Sequence, residues 1–75
     1  MKYVFVTLKI RESEIDLKVS GSTPLGTLLQ EIGTALNINF SPNARVQAEP
    51  LGRILSNDKS LLAQEVYQGS VLTII

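Results

Sequence analysis

The stretch Val71-Leu72-Thr73-Ile74-Ile75 ends the chain, and its reading sets the fold. Leu72 and Ile74 alternate with Val71, Thr73 and Ile75, the period of two that marks a strand with one face on a core. Gln68-Gly69 turns the chain into it. Working outward, Leu61, Leu62 and Val66 read as anchors of a short helical turn, and Ser56-Asn57-Asp58-Lys59-Ser60 as a loop. Arg53-Ile54-Leu55 is a very short strand, Glu49-Pro50-Leu51-Gly52 a turn, and Arg45-Val46-Gln47-Ala48 another short strand.

Further upstream the apolar period changes. Leu25, Leu28, Leu29, Ile32, Ala35 and Leu36 follow helical spacing, with Thr27, Gln30, Glu31 and Thr34 opposite. Thr23 is the expected cap and Pro24 the first helical residue. Asn37 and Asn39 signal the stop, and Pro42 forbids continuation. Gly26 and Gly33 stand inside the helix, each costing about 1 kcal/mol relative to Ala. We read them as the edge where another segment of the same chain crosses closely. At the front, Val4, Val6, Leu8 and Ile10 alternate with Tyr3, Phe5, Thr7 and Lys9. Arg11-Glu12-Ser13-Glu14 interrupts as a hairpin link, and alternation resumes at Ile15, Leu17 and Val19.

One helix with one apolar stripe, and strands with one apolar face each, pack most economically as a helix across a single sheet. The order strand, strand, helix, strand, short strand, strand is that of a ubiquitin-like β-grasp. This α+β fold is a mixed sheet of four to five strands, with the first and last parallel at its centre. The predicted core takes Val4, Val6, Leu8, Ile15, Leu17 and Val19 from the hairpin and Leu25, Leu28, Leu29, Ile32 and Leu36 from the helix. Val46, Leu62, Val66, Leu72 and Ile74 complete it.

The pattern Leu62, Val66, Gly69-Ser70-Val71-Leu72-Thr73-Ile74-Ile75 resembles the end of the YukD/EsaB family, small ubiquitin-like proteins of bacterial type VII (WXG100) secretion systems. Ser70 stands where the family usually has Asp. Ile15-Asp16-Leu17-Lys18-Val19 and the Pro-initiated helix agree with the family's front end. The resemblance implies an accessory or regulatory component of the secretion machine. Its protein partner would be the cytosolic part of a membrane component or the FtsK/SpoIIIE-type ATPase.

Composition narrows the alternatives. The 75 residues allow a single domain, 1–75, and 44% hydrophobic content allows it a core. Seven basic residues balance seven acidic ones, which argues against nucleic-acid binding. No apolar run approaches the roughly 20 residues of a membrane span, and no signal peptide is evident, so a cytoplasmic location without membrane insertion is expected. Met1 argues for a chain start of its own over a domain excised from a larger membrane secretion component. With no Cys and no His, thiolate, imidazole and structural zinc chemistry are excluded. Glu12, Glu14 and Asp16 read as solvated hairpin acids. No catalytic, cofactor-binding or metal residue is assigned, no cofactor is expected, and the protein is read as not an enzyme. A carrier or conjugated-modifier role is disfavoured because bulky Ile74-Ile75 stands where such proteins carry Gly-Gly.

The functional candidate is a surface. If Val4, Val6 and Leu8 face the helix, Tyr3 and Phe5 face away, as do Val71 and Ile75 on the last strand. These four are expected to converge into one apolar interaction patch flanked by Gln47 and Lys9. Its occupant would be a secretion partner or a second copy, forming a homodimer through the sheet.

Overall fold

A computed structural model describes residues 2–41 and 43–75. Met1 and the stop expected at Pro42 lie outside the described residues. The elements are β1 (Tyr3–Ile10), β2 (Ser13–Ser20), α1 (Leu25–Leu36), β3 (Val46–Glu49), β4 (Arg53–Ile54), a 3-10 turn (Leu62–Gln64) and β5 (Ser70–Ile74). The strands form one five-stranded sheet in the order β2-β1-β5-β3-β4. β1 and β5 run parallel at its centre, and every other pairing is antiparallel. The adjacency expected of the opening and closing strands therefore holds. On the other side of β5, Ile75 extends the pairing with β3, its N–H donating to the Arg45 carbonyl at 2.9 Å.

The β1–β2 link is tighter than its composition suggests. Pairing resumes at Ser13 opposite Ile10, so Arg11 and Glu12 alone make the turn, with Arg11 in the left-handed region at φ 56°. Helix α1 begins after Pro24 without the side-chain cap expected from Thr23, whose hydroxyl bonds Ser20 Oγ instead. Its first free N–H groups are satisfied by another segment. Leu25 donates to the Lys59 carbonyl at 3.0 Å and Gly26 to the Asn57 carbonyl at 2.9 Å. The helix ends where expected: Asn37 is left-handed, and Ile38 N–H reaches back to the Gly33 carbonyl at 2.8 Å. The two helical glycines meet the chain as anticipated. A Cβ on Gly33 would stand 2.6 Å from the Ile38 carbonyl oxygen, and one on Gly26 3.3 Å from that of Asn57.

The core lies between α1 and the inner sheet face. Val4, Val6, Leu8, Val19, Leu25, Leu28, Leu29, Ile32, Val46, Val66 and Leu72 are buried as expected. Five predicted core residues are only partly buried: Ile15, Leu17, Leu36, Leu62 and Ile74. Ile15 and Leu17 lie on the edge strand β2, and Ile74 sits at the far end of β5. Ala44, Ala48, Leu55 and Leu61 take the buried space instead. Small or loop-borne residues of this kind give no periodic signal.

Candidate functional site on the open sheet face

Along β1, Val4, Val6 and Leu8 point to α1, so Tyr3, Phe5, Thr7 and Lys9 project from the opposite face. The pairing register gives each outward residue its neighbours. Phe5 faces Lys18 of β2; Thr7 lies between Asp16 and Val71; Lys9 lies between Glu14 and Thr73. Val71 in turn faces Glu49, and Gln47 lies between Thr73 and Ile54.

This register brings some of the expected patch together and separates the rest. Tyr3 and Phe5 are 47% and 58% exposed at one end of the sheet. Val71, half-buried, lies diagonally across from Phe5 at about 8 Å, within reach of an aromatic side chain. Ile75, although exposed, does not join them. Val6 pairs with Ser70, so the same offset puts Ile75 beside Arg11, about 20 Å along the sheet from Phe5 at 3.3 Å per residue. Gln47 belongs to that distant half as well and bonds Glu49, Nε2 to Oε1 at 3.2 Å. The four-residue convergence is corrected to Tyr3, Phe5 and Val71. The two parallel strands are neighbours as expected, but their offset carries Ile75 away from the aromatic end.

Three residues that the sequence did not assign to the site, Lys18, Tyr67 and Gln68, lie around this end of the sheet. The Lys18 ammonium sits 4.8 Å from the Tyr3 ring centroid and 6.0 Å from that of Phe5, a cation–π arrangement of about 0.5–1 kcal/mol at an exposed position. Tyr67, 58% exposed, lies at the same end, its carbonyl accepting the Ser70 N–H that opens β5. β5 starts too late to pair with the first residues of β1, and the Gln68 amide takes its place. Oε1 accepts the Phe5 N–H at 2.6 Å and Nε2 donates to the Tyr3 carbonyl at 3.1 Å. Gly69 N–H, at φ 84°, donates to the Phe5 carbonyl at 2.9 Å. The backbone under both aromatic rings is thereby fixed. The alternation of β1 foretold the rings, whereas Lys18 and Gln68 become visible only through the register.

The face carries two aromatic rings beside a cation at one end and a hydroxyl–carboxylate pair further along. Among the described residues no group of three or more carboxylates is placed to hold a metal ion. Thr7 Oγ1 donates to Asp16 Oδ1 at 2.8 Å, which keeps the acidic side of the face orderly. No helix among the described residues is long and apolar enough to cross a membrane.

Five mixed strands, one helix laid across them and an open face opposite define a ubiquitin-like β-grasp protein. Solved structures agree. The structure titled "Molecular Mimicry of SUMO promotes DNA repair" matches with a TM-score of 0.82 at 16% identity, covering 100% of this chain and 92% of that one. The ubiquitin-like domain of the Mycobacterium tuberculosis type VII secretion system protein EccD1 matches at 0.72 and 20% identity, covering 100% and 99%. The EccD5 ubiquitin-like domain from Mycobacterium xenopi matches at 0.66 and 16%, covering 100% and 97%. A search of the curated proteins finds no match. The family described as "WXG100 protein secretion system (Wss), protein YukD" matches residues 3–74, and the chain belongs to that family.

Proposed function

We propose that this chain is a non-enzymatic, cytosolic accessory module of a type VII secretion system that docks onto a protein partner through the aromatic end of its open sheet face. The observation that carries this reading is the pair Tyr3 and Phe5, exposed on backbone held by Gln68 and flanked by the Lys18 cation. Backbone already held under the rings leaves less chain to order on binding, and burying a side chain such as Phe5 is worth about 1.5–3 kcal/mol. Membership of the YukD family and the likeness to two EccD ubiquitin-like domains support the secretion context. The partner is the cytosolic part of a secretion membrane component or the FtsK/SpoIIIE-type ATPase.

Tyr3 and Phe5 act as the anchors and Val71 as the floor beside them, while Gln47 and Ile75 lie at the rim or beyond it. The test is a pull-down with the cytosolic domains of the secretion components. Phe5→Asp abolishes capture while leaving the circular dichroism spectrum unchanged, and Ile75→Asp, at the far end, leaves capture intact. Capture retained by folded Phe5→Asp would refute the assignment.

A further inference from the structure

The two edges of the sheet are not alike. One is β4, whose two residues offer almost nothing to pair with. The other is β2, eight residues long, containing no proline and paired to β1 without a bulge from Ser13 to Ser20. A long, regular edge is a template for another strand unless something blunts it. The hydrogen bond from Gly21 N–H to the Lys2 carbonyl at 2.8 Å fixes the phase of the β1–β2 ladder. Alternate pairs are hydrogen-bonded in an antiparallel ladder, so Val19, Leu17, Ile15 and Ser13 turn their backbone groups to β1. Those of Glu14, Asp16, Lys18 and Ser20 face the open edge.

We infer that this edge pairs with β2 of a second copy of the chain, antiparallel about a twofold axis at Leu17. In that register Asp16 stands opposite Lys18 of the second copy and Lys18 opposite its Asp16. Glu14 meets the uncharged Ser20. All four bonding residues on each strand use the backbone groups that the ladder phase leaves free. Centring the axis on Asp16 or on Lys18 instead sets two like charges directly opposite each other, which is destabilising.

The inner face agrees with the outer one. Leu17 meets its own copy, and Ile15 meets Val19. Leu17 and Ile15 are the half-buried apolar residues of the edge, and an open groove whose lining includes Leu17, Val19, Leu28, Ile32 and Leu36, together with Lys18 and Glu31, runs beside Leu17. A second strand laid on the edge covers that groove. One pair of strands buries less than the roughly 1,600 Å² of a standard interface, so the dimer is weak and concentration-dependent. Tyr3 and Phe5 stay open in it, which doubles the docking face of the assembly.

Sedimentation equilibrium from about 10 µM to about 1 mM tests the inference over the range where such a contact equilibrates. Wild type shows a monomer–dimer equilibrium. Asp16→Lys and Lys18→Asp each raise the dimer dissociation constant by about tenfold, because both cross-strand pairs become repulsive. An equimolar mixture of the two variants restores association, and so does the double variant D16K/K18D, since each arrangement again opposes unlike charges. Circular dichroism accompanies every variant, because Asp16→Lys also removes the Thr7 hydrogen bond. A monomer at all concentrations overturns the proposal, as do single variants that dimerise like wild type or a mixture and double variant that both stay monomeric. Phe5→Ala, which removes the ring without setting a charge opposite Lys18, lowers partner capture and leaves the dimer unchanged, so loss of capture and loss of dimerisation are read separately.

Discussion

Gln64 holds the loop on which the helix start depends. The residue is 7% exposed, and its side-chain amide is fully engaged. Oε1 accepts the Ser56 N–H at 2.6 Å, and Nε2 donates to the carbonyls of Ser56 at 2.8 Å, Lys59 at 3.1 Å and Ser60 at 3.4 Å. Arg53 donates through Nη2 to the Gln64 carbonyl. Gln64→Ala strands these buried groups and is expected to cost about 2 kcal/mol in urea unfolding, or about 10 °C in Tm for a domain of this size. Gln64→Glu is worse, since a carboxylate offers no donor to three carbonyl oxygens. Nothing in the sequence marks this residue, because a glutamine between Leu62 and Val66 reads as surface. Tyr3 and Phe5 were legible by contrast, because alternation along a strand fixes the face of every side chain.

At the scale of an element, α1 divides into a legible body and illegible ends. Its apolar stripe and the Asn37 stop follow from the sequence, but its first turn is satisfied by carbonyls of the 57–59 loop and not by Thr23. A cap supplied from some 30 residues away leaves no local signal. The glycines show how context reverses propensity. Gly→Ala in an open helix gains about 1 kcal/mol. At Gly33 the new methyl would stand 2.6 Å from the Ile38 carbonyl oxygen, part of the hydrogen-bonded end of the same helix. Gly33→Ala is therefore expected to destabilise by about 1–2 kcal/mol by chemical denaturation, since overpacking outweighs propensity.

For the whole molecule, stability of the order of 4–11 kcal/mol is expected from 75 residues. Single core truncations are large against that margin. Leu72, 2% exposed on the central strand, packs in the one cluster that joins sheet and helix. Leu72→Ala is expected to cost about 2–5 kcal/mol and to leave a protein close to unfolding at 37 °C, measured by thermal melting. Leu17→Ala, at the half-buried edge, is expected to cost about 1 kcal/mol, because part of that side chain already meets water. The contrast between two leucines of similar sequence pattern tests whether β2 is truly the edge.

Element types, their order and the inward face of each strand were determined by the sequence alone, because hydrophobic periodicity is local and repeats within a few residues. The offset of β5 along β1, the edge position of β2, and the clasp and cap supplied by Gln68 and the 57–59 loop were decided by the tertiary structure. These depend on pairings between residues tens of positions apart, where backbone hydrogen bonds look the same from every side chain. The aromatic face could thus be read from the chain, while its extent and the charge-matched free edge emerged only when the strands were set side by side.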